Sequence, residues 1–184
     1  MTAADEENLD GPVPMPKAFA VGFDSNAGEA LVYGGATLIV IGSLVTVVRG
    51  QPAALVLSLI GLCSTVYFRP LIEAKRPQLG ANMQGLYVER IGIIGWSAIA
   101  EIDVFETSLR TMNFSKLIVR LAVPLEKAIV VPETVPWWRR LMSRNWSRKG
   151  PDRLDIKLDT LSADPAVVVR RVKAFHRVAG QNTR

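Results

Sequence analysis

Residues 30–48, ALVYGGATLIVIGSLVTVV, and residues 52–68, PAALVLSLIGLCSTVYF, decide how the rest of this 184-residue chain is to be read. Neither run contains a charged side chain, and Glu29, Arg49, Gly50, Gln51 and Arg69 interrupt or bound them. A membrane-crossing helix needs roughly 20 apolar residues, within a range of about 17–25. The first run meets that length and the second sits at its short edge. Glycine, serine and threonine are scattered through both rather than gathered into a polar stripe. A helix that is apolar all round belongs in a large core or in a bilayer, and a chain of this size has no room for the first. The expectation is a helical hairpin across a membrane over residues 26–69. Its start lies behind an acidic leader with no positive n-region and no small-residue cleavage pattern, so a secretory signal fits poorly.

Charge supplies an orientation. Residues 1–68 carry Asp5, Glu6, Glu7, Asp10, Asp24 and Glu29 against Lys17 and Arg49, a net of −4. The remainder carries 20 Lys and Arg against 11 Asp and Glu, a net of +9, which together give the chain its +5. Lys and Arg beside span ends set topology while acids count little. Arg69, Lys75 and Arg76 follow the second run directly, against the single Arg49 in the turn. Both termini and everything after the hairpin are therefore expected on the cytoplasmic side. The one cysteine, Cys63, lies inside the second run as a small packing residue, and no disulfide can form within one chain.

Outside the hairpin the chain divides by composition. Residues 1–25 are acidic and then proline-rich, without periodicity, and are expected to be a flexible arm. Asn26 and Glu29 stand in capping-box register for the first helix, and Pro52 suits the first turn of the second. Pro70 and Pro77 bracket a juxtamembrane connector over 70–77. From Gln78 the period changes to two. GLYVERIGIIGWSAIAEIDVFE (85–106) reads as two or three strands, with Leu86, Val88 and Arg90 alternating against Tyr87, Glu89 and Ile91, and with the glycines of RIGIIGW marking a turn or bulge. KLIVRLAVP, KAIVVP and RLDIKLDTL read as further strands, the last with Leu154, Ile156 and Leu158 on its packed face. Such alternation indicates antiparallel strands with one wet face. Residues 162–180 form an amphipathic helix. Asp164 is its N-cap, Pro165 its first-turn residue and Gly180 its stop, with Val168, Val172, Phe175 and Ala179 on the buried side. Residues 181–184 are a tail.

The order of these elements resembles bacterial membrane-anchored pleckstrin-homology-like domain proteins, in which a small barrel follows a two-helix transmembrane hairpin. Gly85 and Leu86 match the first strand of that pattern. Gly92, Trp96 and Ile99 match the second, and Leu154, Ile156, Asp164 and Pro165 match the close. The resemblance spans Ala30 to Ala179 and implies an α+β membrane protein whose antiparallel split β-barrel, over 78–180, is capped by the last helix. It also implies an anchoring or interaction role at a bacterial inner membrane. It transfers no catalytic residue and no cofactor.

Residues 135–151, which include VPWWRRLMSRNWSRKG, are longer and more aromatic than that pattern leads one to expect. Trp137, Trp138 and Trp146 interleave with Arg139, Arg140, Arg144, Arg148 and Lys149, and Leu141 and Met142 add apolar mass. Tryptophan favours the bilayer–water boundary, and interfacial cations attract anionic lipid at about 1 kcal/mol each. The segment is expected to be an insertion between strands that contacts the inner-leaflet surface. Packing over the barrel mouth and contact with a protein partner remain open. Nucleic acid, which also favours cations with aromatics, is disfavoured because the tether holds the segment close to lipid.

Catalytic ingredients are sparse. His176 is the only histidine and reads as a half-exposed residue of the last helix. With Cys63 in an apolar run, a Cys/His metal site has no components. Glu101 and Asp103 read as a solvated strand face, and Ser97 lacks the second glycine of a hydrolase elbow. The expectation is a non-enzymatic interaction module without cofactor or metal. Alternatively, it is an accessory subunit of a larger membrane assembly or a homo-oligomer that uses the small residues of its hairpin. The spans hold no charged group, so a transport path is not expected.

Overall fold

The computed structural model describes residues 16–181 apart from 25, 27, 74, 110 and 111. Two long apolar helices come first, α1 (Glu29–Arg49) and α2 (Leu55–Phe68), the latter extended by 3₁₀ turns at Pro52–Ala54 and Arg69–Ile72. Both are long and apolar enough to cross a membrane, and the protein covers only 17% and 11% of their apolar windows. A core helix of a soluble domain would be mostly covered. Gly50 closes α1 in the left-handed conformation (φ 62°) that a side chain resists.

The small residues of the hairpin are used between its own two helices. A β-carbon on Gly61 would lie 2.4 Å from the Gly35 carbonyl oxygen, and one on Gly42 would lie 2.5 Å from Ser58 Oγ. Ser58 donates to the Ile39 carbonyl at 3.1 Å, and Ser64 to that of Leu31 at 3.3 Å. Close approach of this kind needs small residues, and the hydroxyls satisfy one another and the facing backbone. Gly34, by contrast, faces open space.

The capping box expected at Asn26 and Glu29 is not formed. Gly28 is the N-cap residue and makes no side-chain bond, while the Asn26 N–H donates to Asp24 Oδ1 at 3.1 Å. The start is set by packing, since a β-carbon on Gly28 would strike Leu71, 2.4 Å away in the turn that follows α2.

Among the described residues, nine strands form two antiparallel sheets. β1 (Phe19–Val21), β2 (Leu79–Ala81), β3 (Gly85–Val88), β4 (Gly92–Gly95) and β7 (Ile129–Pro132) make the first, in that order. β5 (Ile99–Leu109), β6 (Met112–Leu121), β9 (Arg153–Lys157) and β8 (Trp146–Arg148) make the second. A short helix α3 (Leu125–Ala128) leads into β7, and α4 (Pro165–Gln181) ends the described chain. Among the described residues, the two sheets do not join into a closed barrel.

The core lies between the sheets and under α4. Leu79, Leu86, Val88, Ile94, Leu117, Val119, Leu154, Ile156, Val168, Val172 and Phe175 are all buried there. Trp96 stacks on Phe175 with ring centroids 6.1 Å apart, and its Nε1 donates to the Asn82 carbonyl at 2.8 Å. Asp164 caps α4 as its sequence indicates, Oδ1 accepting from the Ala166 N–H at 2.8 Å.

Four local expectations change. Residues 1–15 of the expected arm lie outside the described residues, but Phe19–Val21 is a strand and Phe23 is buried. β1 pairs with β2, so the chain entering α1 and the chain leaving α2 are laced together. The glycines of RIGIIGW bound β4, whose pairing with β7 shifts register between Ile93 and Ile94 as a bulge does, and the turn lies just before them at Glu89–Ile91, with Arg90 at φ 68°. Part of KAIVVP is helical, because Leu125–Ala128 makes one turn before β7 begins. Finally, α4 runs through Gly180 to Gln181, so the expected stop does not act.

Candidate functional site at the junction of hairpin and sheets

The segment expected to be an insertion is folded into the domain. Residues 137–141 form a 3₁₀ turn and Trp146–Arg148 form β8, the edge strand beside β9. A 3₁₀ turn repeats every three residues, which divides the segment into faces of different character. Arg139 points inward and is buried, and Met142 is buried as well. Trp138 and Leu141 share a second face, Trp137 and Arg140 a third. Trp137 and Leu141 are 75% and 69% exposed, whereas Arg139 is 7% exposed.

The inward face meets a cluster of charge that the sequence did not reveal. Glu89 is fully buried, and three guanidiniums surround its carboxylate: Arg76 Nε at 3.3 Å, Arg90 Nε at 3.4 Å and Arg139 Nε at 3.6 Å. Arg139 Nη2 also donates to Glu73. Glu133 accepts from Arg76 Nη2 at 2.9 Å, from Tyr87 Oη at 3.1 Å and from the Arg90 N–H at 2.6 Å. Three carboxylates thus meet Arg76, Arg90 and Arg139, with the exposed Arg69 3.8 Å from Glu73 at the edge of the cluster. It joins the connector (Glu73, Arg76), the 89–91 turn, the strand exit at Glu133 and the 3₁₀ turn. Burying charges costs several kcal/mol per ion unless each is paired, and here the pairing ties four separate chain segments together.

Backbone contacts reinforce the lock. Arg90 donates from Nη1 to the Met142 carbonyl at 2.9 Å and from Nη2 to that of Ser143 at 2.7 Å. These contacts, with the bond to Glu133, hold Arg90 in a left-handed conformation uncommon outside glycine. Trp146 Nε1 donates to the Glu89 carbonyl at 2.8 Å. The Ser143 N–H donates to the Tyr67 carbonyl at 2.9 Å, which places the segment beside the last turn of α2. Burial pushes the Glu89 carboxyl above its ordinary range, and Arg90, Arg139 and Arg76 oppose that shift. Burial lowers the Arg90 guanidinium, against Glu89. Burial, then the charge and acceptor of Glu133, push the Tyr87 phenol up to about 12.

The other face lies open beside α2. Trp137, Trp138, Leu141 and Met142 form one wall of an apolar groove of about 730 Å³, and Cys63 and Tyr67 belong to the wall formed by α2. The eight residues expected to make one contact surface therefore part company. Trp137 and Trp138 face the groove, and Arg140 lies exposed between Arg139 and Leu141 without a partner among the described residues. Arg139 is locked inside. Arg144 lies over the Trp146 ring, 4.4 Å from its centroid, and Trp146 is half-buried on β8. Arg148 pairs with Glu126 at 2.6 Å, and Lys149 is exposed, its N–H donating to the Arg153 carbonyl.

Elsewhere, Glu101 and Asp103 face solvent beside Arg120, at 3.2 and 4.0 Å. His176 Nε2 lies 3.1 Å from the Ile99 carbonyl and its ring beside Trp96, a packing position on the half-buried side of α4. Among the described residues, no three His, Cys, Asp or Glu side chains are grouped to hold a metal ion. Comparison of the chain with protein-family models, with curated proteins and with solved structures finds no match.

Proposed function

We propose that this protein is a non-enzymatic, membrane-anchored interaction module whose sheet domain is held down on the cytoplasmic surface of a bacterial inner membrane. The observation that carries the reading is the exposed Trp137–Trp138–Leu141 shelf lying alongside the last turns of α2. If α2 crosses the bilayer, that shelf lies at the bilayer boundary, where tryptophan is favoured. The charge lock behind it fixes the orientation of the domain to the helix. Two antiparallel sheets with a C-terminal helix over their core support a pleckstrin-homology-like arrangement. The Lys and Arg excess after the hairpin supports a cytoplasmic domain.

The test uses the full chain in vesicles with Cys63→Ala as background and single cysteines at Leu141 or Lys157, both exposed side chains. A membrane-impermeant maleimide should label Lys157→Cys rapidly and Leu141→Cys at least tenfold more slowly. Equal labelling would mean that the domain stands off the bilayer.

A second reading, an accessory subunit of a larger membrane assembly, draws on the edge strand β7. Its Val130 and Val131 are exposed, and an unpaired apolar edge is a template for another chain. Gentle extraction supports it if the particle mass exceeds the chain's 20.1 kDa plus bound detergent.

A further inference from the structure

The groove between α2 and the 3₁₀ turn is the exposed feature that the charge lock leaves unused. Its volume of about 730 Å³ lies within the about 300–1,000 Å³ of small-molecule sites. Cys63 and Tyr67 stand on one side and Trp137, Trp138, Leu141 and Met142 on the other. The groove is open, and the exposed apolar residues Ile60, Leu62 and Val66 of α2 line it. With α2 in a bilayer, its mouth faces acyl chains rather than water. This step rests on the reading given above.

Charge at the rim narrows the occupant. Arg139 is consumed by Glu73 and Glu89. Its neighbour Arg140 is exposed and makes no ion pair or hydrogen bond among the described residues. One 3₁₀ repeat separates Arg140 from Trp137, so the turn that forms the groove wall also carries an exposed, unpaired guanidinium. A guanidinium matches the two oxygens of a phosphate in one plane. An apolar peptide would fill the groove but leave Arg140 without an anion, whereas a lipid supplies chain and phosphate together. We propose that the groove holds one acyl chain of an anionic phospholipid drawn from the surrounding bilayer, with the headgroup phosphate on Arg140.

The experiment reconstitutes the full chain in vesicles of equal phosphatidylglycerol and phosphatidylcholine, with dibrominated chains on only one of the two lipids. Bromine quenches tryptophan on contact, and Trp137 and Trp138 line the groove. Quenching measured against mole fraction should give an exchange constant about fivefold in favour of phosphatidylglycerol, the ratio that about 1 kcal/mol for one interfacial cation provides. Arg140→Gln, at an exposed side chain without partners, should bring that ratio close to one while phosphatidylcholine still quenches. Equal quenching by both lipids in the wild-type chain overturns the bound anionic lipid and leaves the membrane-seated domain standing. An Arg140→Gln ratio that stays near fivefold also overturns it. Absence of quenching by either lipid overturns the seated domain as well.

Discussion

Arg139 and Arg140 are adjacent, identical in type and opposite in environment, so one substitution at each separates the two roles of the segment. Arg139→Gln removes a buried guanidinium from Glu73 and from the fully buried Glu89, 3.6 Å away. Removing one partner of a buried ion pair costs about 3–5 kcal/mol, because the other is left uncompensated. Here Glu73 is one-third exposed and Glu89 keeps Arg76 and Arg90, so the low end applies, about 3 kcal/mol. That is more than a hundredfold in the unfolding constant, at tenfold per about 1.4 kcal/mol. Arg140→Gln touches nothing and should stay within about 0.5 kcal/mol.

The assay is urea unfolding of the full chain in mild detergent, followed by tryptophan emission. All four tryptophans, Trp96, Trp137, Trp138 and Trp146, lie outside the hairpin, so the signal belongs to the sheet domain. A shift in midpoint without a change in slope reads as stability alone. Adding Glu73→Gln to Arg139→Gln should cost less than the sum of the two single changes, since the pair is in direct contact. The charge lock is refuted if Arg139→Gln and Arg140→Gln have the same effect, or if the two changes at Glu73 and Arg139 simply add.

Three further outcomes follow from single contacts. Gly61→Leu should push α1 from α2 at a cost of about 1–3 kcal/mol, and so slow disulfide formation between Ser43→Cys and Ser58→Cys. Those two hydroxyls lie 3.2 Å apart, and Gly34→Leu, facing open space, should leave the rate unchanged. Trp146→Phe leaves the Glu89 carbonyl without its donor and should cost about 1–3 kcal/mol in urea, while Trp137→Phe should cost almost nothing. Tyr87 has its phenol raised from 10.0 to about 12 in the folded chain. The folded state therefore holds the proton more tightly, so its contribution to stability is complete below about pH 10 and lost as pH rises through about 12. Tyr87→Phe should remove that part of the alkaline fall in the urea midpoint, and a profile identical to wild type would contradict the placement of Tyr87 against Glu133.

Much of the architecture was legible because it depends on periodicity. The apolar runs, the alternation of Leu154, Ile156 and Leu158, and the Asp164 cap each use one short window of sequence, and each appears where that window places it. The charge lock was not legible. Glu89 sits in what reads as regular alternation, and it is buried only because the chain turns at Arg90 and brings Arg76 and Arg139 onto it from 13 and 50 positions away. A buried ion pair leaves no local signature when its partners come from distant segments. The tryptophan–arginine segment was legible in composition but not in direction. Eight residues that look alike in sequence fall on different faces once a three-residue repeat and an edge strand are imposed on them. The small residues of the hairpin likewise suit a partner helix or a second copy equally well in sequence, and the packing of Gly35, Gly42 and Gly61 assigns them to the hairpin itself.

The central claim is that the Trp137–Trp138 shelf enters the bilayer beside α2. Parallax quenching of the full chain in vesicles measures it, with bromines placed near the glycerol end or near the middle of the acyl chains. The account predicts strong quenching by the shallow bromines and weaker quenching by the deep ones, with Trp137→Phe and Trp138→Phe together removing most of the quenchable emission. Emission that neither set quenches, or quenching that survives the double substitution, would contradict it.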